Sequence, residues 1–168
     1  MASAPQPGLP HAAYERFEGI GDYDVMLDEL IGQTQRVIRI FVPSLASSFN
    51  TESRCALLRG FLRANPSNRL FVVVHKIEGI DRICPRFVTL LQQFSHTAKV
   101  RQTPRWAHHV CDPFAIFDAS HYLRRFHHAH MRYGRGLNEL EGAQQLLDRH
   151  GEMWEASKTI AVASVLGL

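Results

Sequence analysis

The sequence has no run approaching the ~20 consecutive apolar residues that span a bilayer. Residues 1–8 carry neither the basic nor the apolar part of a secretory signal. These two lacks point to the cytoplasm. Cysteine is scarce as well: Cys55, Cys84 and Cys111 are too few and too scattered to build a disulfide framework, which agrees with a reducing compartment. There is no internal repeat, so solenoid and propeller architectures are excluded, and no low-complexity block.

What is present is ordinary globular material. A chain of 168 residues, 45% hydrophobic and 21% charged, is enough for about one domain with a sizeable core. The net charge of +3 is unevenly spread. Residues 1–98 hold ten Lys/Arg against nine Asp/Glu, residues 99–135 seven against two, and residues 136–168 two against five. Seven of the ten histidines fall between His96 and His130, so the basic region gains further charge below about pH 6.5.

Residues 1–13, rich in proline and without periodicity, read as a disordered lead-in to a domain over residues 14–168. The spacing of Val25, Met26, Glu29 and Leu30, with acidic residues early, predicts a helix from about 22 to 34. Val37 to Val42, closed by Pro43, reads as a buried strand. Caps at residues 50–53 precede a helix in which Leu58, Phe61 and Leu62 share a face opposite the arginines. Leu70 to Val74 is the clearest strand, followed by a helix from about Cys84 to Gln93 and by strands near Ala98–Gln102 and Pro113–Asp118. Leu137 to Lys158 predicts a long helix burying Leu140, Ala143, Leu147 and Trp154, weakened where Gly142 and Gly151 fall. Alternation of strand and helix implies an α/β domain with a mixed, largely parallel sheet flanked by helices. Residues 159–168 are small and apolar, suited to a last strand or to a tail packed on a partner.

Three groups of residues bear on function. The segment from Arg124 to Arg135 interleaves Arg124, Arg125, Arg132 and Arg135 with Phe126 and Tyr133, a composition in which rings stack on bases while guanidinium groups meet phosphates. Arg105 adds to the same basic region. His108-His109-x-Cys111 and His127-His128-x-His130 contain ligand types that zinc or copper prefers, yet no established metal spacing is formed, and no cofactor is expected. Trp106 and Trp154 read as packing residues. Cys111 reads as a small buried residue opening a strand, and Asp118 as either a turn residue or a hydrogen-bonding remnant of a site.

The stretch from Cys111 to Asp118 resembles, in its spacing, the His-x-Lys-x4-Asp motif of the phospholipase D superfamily. Cys111 falls at the histidine, Pro113 at the lysine and Asp118 at the aspartate. The Gly-Ser-x-Asn element expected downstream is replaced by Ser120-His121-Tyr122-Leu123-Arg124-Arg125. Neither His75 nor His108 nor His109 restores the motif in another register. The order of elements around it, ending in Met153-Trp154-Glu155, is similar to one lobe of that family. In active relatives the resemblance implies metal-free phosphodiester cleavage: one histidine attacks phosphorus, another protonates the leaving oxygen, and lysines hold the phosphate. Two lobes meet across a two-fold axis. For this chain it implies a homodimer of catalytically degenerate lobes, whose inherited pocket binds a phosphate-bearing ligand or nucleic acid without cleaving it. Two further readings are a non-catalytic interaction or dimerisation module and a metal-dependent enzyme using the histidine clusters.

Overall fold

The computed structural model describes residues 12–126 and 132–160. Nearly all of the expected lead-in, residues 1–11, lies outside the described residues, as do His127, His128, His130 and residues 161–168 of the apolar tail.

Three parallel strands stand at the centre of the fold: β2 (Val37–Ser44), β3 (Arg69–Lys76) and β4 (Ala98–Gln102). Their apolar, β-branched sequences suit burial on both faces. α1 (Ile20–Gln33) leads into β2, α2 (Glu52–Ala64) crosses to β3, and α3 (Ile80–Ile83) with α4 (Pro85–Gln93) crosses to β4. Thr51 caps α2, its side-chain oxygen accepting from the Arg54 N–H.

The second half departs from the expected parallel order. β5 (Phe114–Phe117) returns to the other side of β2 and runs antiparallel to it. β6 (His121–Phe126) and β7 (Arg132–Leu137) continue as an antiparallel meander, and β1 (Ala13–Glu18) closes that edge on β7. β8 (Lys158–Thr159) pairs with β4 at the other edge. Among the described residues the sheet has eight strands in the order β1-β7-β6-β5-β2-β3-β4-β8. Only two of its seven pairings are parallel, so the expectation of a largely parallel sheet is corrected to a mostly antiparallel one. The reason lies in the connections: a parallel neighbour needs a crossover, usually a helix, whereas only a 3-10 turn, Arg105–His109, precedes β5 and a tight turn follows it.

Strand register sorts the side chains onto two faces. Ile38, Ile40, Val72, Val74, Ala115, Phe117 and Leu123 point to the side covered by α1, α2 and α4. Phe41, Val73, Phe114, Ile116 and Tyr122 point to the other, where α5 (Leu140–Ala156) lays Ala143, Leu146 and Met153 against them. α5 is one uninterrupted helix through Gly142 and Gly151, and Leu140, on its first turn, is exposed. Trp154 packs edge-on to Phe71, whereas Trp106 is exposed. Among the described residues no helix is long and apolar enough to cross a membrane.

Candidate functional site

At one end of the sheet the carboxyl ends of β2 and β6 meet the amino ends of β5 and β7. The chain moves from β2 to one side through β3 and β4, then returns to the other side of β2 with β5. Such a reversal leaves a crevice outside the strand ends, where α/β sheets hold ligands. A cavity of about 380 Å³ occupies it. Its floor is Ile40, Val42 and Ala115; its rim is Cys111, Pro113 and the loop Ser44 to Phe49; Tyr23, Arg54, Arg125 and Tyr133 close it from the helices and the meander.

Charge in the cavity is set by two arginines. Arg54 lies on the apolar face of α2, four residues before Leu58, and is only 2% exposed. The expectation that all α2 arginines lie opposite that face is thereby corrected. Its Nε donates to Asp28 Oδ1 at 2.7 Å, its Nη2 to Asp24 Oδ1 at 3.1 Å, and its Nη1 to the Ser48 carbonyl at 3.1 Å. These bonds tie α1, α2 and the loop after β2 together, and the acids offset the Arg54 charge. Arg125 brings the second guanidinium, from β6. The phenol of Tyr23 is pushed well above its usual value by burial, and its ring packs 4.7 Å from that of Tyr133. The site thus joins an apolar floor, serine hydroxyls and neutral phenols with one cation paired to acids and a second on the sheet.

Cys111 is exposed, against the expectation of a buried thiol; β5 begins only at Phe114, and the Cys111 Sγ approaches the His108 carbonyl at 3.6 Å. Asp118 sits at the opposite end of β5, away from the cavity. Its Oδ2 accepts from the Gln35 N–H at 2.8 Å, and its Oδ1 from those of Arg36 at 2.8 Å and Val37 at 3.0 Å. Its φ of 52° is a left-handed conformation that aspartate tolerates better than most residues. Asp118 is a turn residue by position and a hydrogen-bond acceptor by contact, its carboxylate fastening the β5–β6 turn to the start of β2.

The five arginines named from the sequence do not converge. Arg125 and Arg135 share the face covered by α1, while Arg124 and Arg132 share the other. Arg135 pairs with Glu15 at 2.5 Å and with Glu29 at 3.8 Å, and Arg132 with Glu18 at 3.7 Å. Arg105, on the 3-10 turn, is exposed and lines a separate hollow with Lys76, Gln102, Thr103 and His108. Phe126 and Tyr133 likewise point to opposite faces.

Among the described histidines, His75 is an internal brace. Its Nδ1 lies 2.5 Å from Thr103 Oγ1 and its Nε2 2.6 Å from the Val110 carbonyl. Because a carbonyl only accepts, Nε2 carries the proton and Nδ1 accepts from the threonine. Burial lowers its pKa and favours that neutral form. His108 stacks on it at 4.6 Å. Among the described residues no three His, Cys, Asp or Glu side chains gather in a way that holds a metal ion.

Sequence reasoning missed Arg54, Tyr23, Asp24 and the serine loop. Arg54 was legible, because it precedes Leu58, Phe61 and Leu62 by four, seven and eight residues, the period of one helix face. The loop had no comparable signal.

Residues 22–163 match the model of a family described as Domain of unknown function (DUF7931). No curated protein matches the sequence. Solved structures do. Nuc from Salmonella typhimurium, a phospholipase D family member, superposes with a TM-score of 0.67 at 11% identity, over 89% of this chain and 99% of that one. NucT from Helicobacter pylori gives 0.61 at 10% identity, over 89% and 100%. TrmBL2, an archaeal chromatin protein with a novel mode of DNA binding, gives 0.67 at 9% identity, over 92% of this chain and 56% of that one. At such identities the likeness is one of fold, and that fold is the phospholipase D-like α/β lobe.

Proposed function

This chain belongs to the DUF7931 family and has a phospholipase D-like fold, and from that premise we propose that it binds a phosphate-bearing ligand in the cavity at the head of β5 without cleaving it. The observation that carries the reading is the coincidence of the cavity with the motif positions: Cys111 and Pro113 line it, together with Arg125 and the hydroxyl-bearing loop after β2. Its volume of about 380 Å³ is that of a small-molecule pocket. Arg125 supplies a planar fork suited to phosphate oxygens, and the serines supply neutral donors.

Cleavage lacks its parts. Pro113 has no side-chain donor with which to hold the phosphate, and Cys111 stands where the phospholipase D motif that this stretch resembles has its histidine. In the homodimer that we also propose, each copy brings the same deficits. The cytoplasm, where three free thiols stay reduced, remains the proposed location.

Calorimetric titration with inorganic phosphate and with a nucleoside monophosphate tests the binding. Arg125→Ala should weaken it roughly tenfold, as loss of a charge-assisted pair does. Binding unaltered by that change, or none by the wild type at low salt, would refute the reading. Light scattering at tens of micromolar tests the dimer, which a monomer would contradict.

A further inference from the structure

We propose that the face of β1, β6 and β7 opposite the cavity is a binding platform for single-stranded nucleic acid. Register arranges it in three rows across the strands: Tyr14–Gly136–Tyr122, then Arg16–Gly134–Arg124, then Glu18–Arg132–Phe126. α5 packs over β2, β3, β5 and β6 and reaches the first row only at its start, where the Tyr122 hydroxyl donates to the N-cap Glu139 at 2.5 Å. Beyond it Tyr14 stays 42% exposed, and Arg16 and Arg132 are exposed.

The central glycines give this surface its form. A Cβ at Gly136 would strike the Tyr122 ring, and one at Gly134 would come within 2.5 Å of the Tyr14 hydroxyl and 3.0 Å of the Phe126 ring. The aromatic side chains therefore lean across the glycine strand instead of standing off it. Guanidinium groups lie against them: Arg124 Cζ is 4.6 Å from the Phe126 centroid, and Arg16 Cζ is 5.8 Å from the same centroid and 6.0 Å from that of Tyr14. A hollow of about 500 Å³ between Arg16, Glu18, Phe126 and Arg132 continues the surface at the strand ends.

Rings and guanidinium planes on an open sheet are the recurrent means of stacking unpaired bases, while the same arginines reach the phosphates. Among the described residues three arginines face two carboxylates, Glu18, which is 3.7 Å from Arg132, and Glu139 under the Tyr122 hydroxyl, so the platform keeps an excess of positive charge. A duplex would engage the charge but not the rings, because its bases are already stacked. This proposal does not rest on the cavity, which lies on the other side of the sheet.

Fluorescence anisotropy with a labelled thymidine dodecamer at low salt, repeated with the matching duplex, is the test. The wild type should prefer the single strand. Arg16→Ala/Arg124→Ala should bind roughly tenfold more weakly and lower the log–log salt slope by about 1.4, that is about 0.7 for each contact. Phe126→Ser should weaken binding roughly fivefold with the slope unchanged, and Arg63→Ala, on the far side of α2, should match the wild type. Saturating nucleoside monophosphate should leave the dodecamer bound, so failure of the cavity reading and failure of this one are told apart. Three results would overturn the proposal: equal affinity for duplex and single strand with Phe126→Ser inert; no loss in the double arginine variant; or no dodecamer binding together with a dimer that Phe126→Ser dissociates, which would make the face a self-contact.

Discussion

At one end of β5 the Asp118 carboxylate holds three backbone N–H groups of residues 35–37; at the other, Cys111 and Pro113 border a cavity and secure nothing of comparable weight. Both ends belong to one motif-like stretch, yet they answer to different constraints. The Asp118 end joins the β5–β6 turn to the entry of β2, so it is tied to folding. The Cys111 end faces the cavity, so a change of side chain there should leave the sheet undisturbed.

The largest expected effect comes from breaking the structural end. Asp118→Ala removes a charged acceptor from three N–H donors and places alanine at a φ of 52°, and should cost about 3 kcal/mol in chemical denaturation. Asp118→Asn keeps one acceptor and tolerates the conformation, and should cost roughly half as much. Next, Arg54→Ala leaves Asp24 and Asp28 without their cation beside the cavity; about 2 kcal/mol is expected, since both acids keep some exposure. A loss below about 0.5 kcal/mol for either Asp118→Ala or Arg54→Ala would erase the contrast between anchored and free residues.

Acid also acts through a residue that belongs to neither end. His150 is buried against Phe114 and Trp154, and burial, with Arg39 nearby, lowers its pKa from 6.5 to about 4. The unfolded chain takes up this proton below about pH 6.5, the folded chain only below about pH 4, so stability is complete above that window and falls within it by about 1 kcal/mol per pH unit. His75, also lowered by burial, acts in the same direction. His150→Leu should flatten the slope measured by denaturation at several pH values; an unchanged slope would remove His150 from the account. The smallest effect belongs to the free end: Cys111→Ala should alter stability by less than about 0.5 kcal/mol. The Cys111 thiol should react readily with a disulfide reagent in the folded protein, while Cys55 and Cys84, buried and with the latter pushed up to about 11, wait for unfolding.

The central layer of the fold was legible in the sequence. Leu70 to Val74 and Val37 to Val42 are apolar enough to be strands and nothing else, and Thr51 with the Leu58, Phe61 and Leu62 stripe defines α2. The meander was hidden, because Tyr122-Leu123-Arg124-Arg125-Phe126 puts an arginine on each face in turn and Gly134 and Gly136 lower the strand signal of β7. Those same residues read as a basic segment because their charge is obvious and their pairing is not. Strand direction was misjudged for a related reason: local periodicity marks a strand but not its neighbour, and the return of β5 to β2 depends on contacts between residues about eighty positions apart. The cavity could not be foreseen, since it is built from six separate elements and a serine loop.

Phosphorus NMR of a simple phosphodiester mixed with the protein tests binding without cleavage in a single measurement. The diester resonance should broaden or shift with wild-type protein, recover with Arg125→Ala, and yield no monoester peak on prolonged incubation. A growing monoester peak abolished by Cys111→Ala, or a diester resonance indifferent to the protein at millimolar concentration, would contradict it.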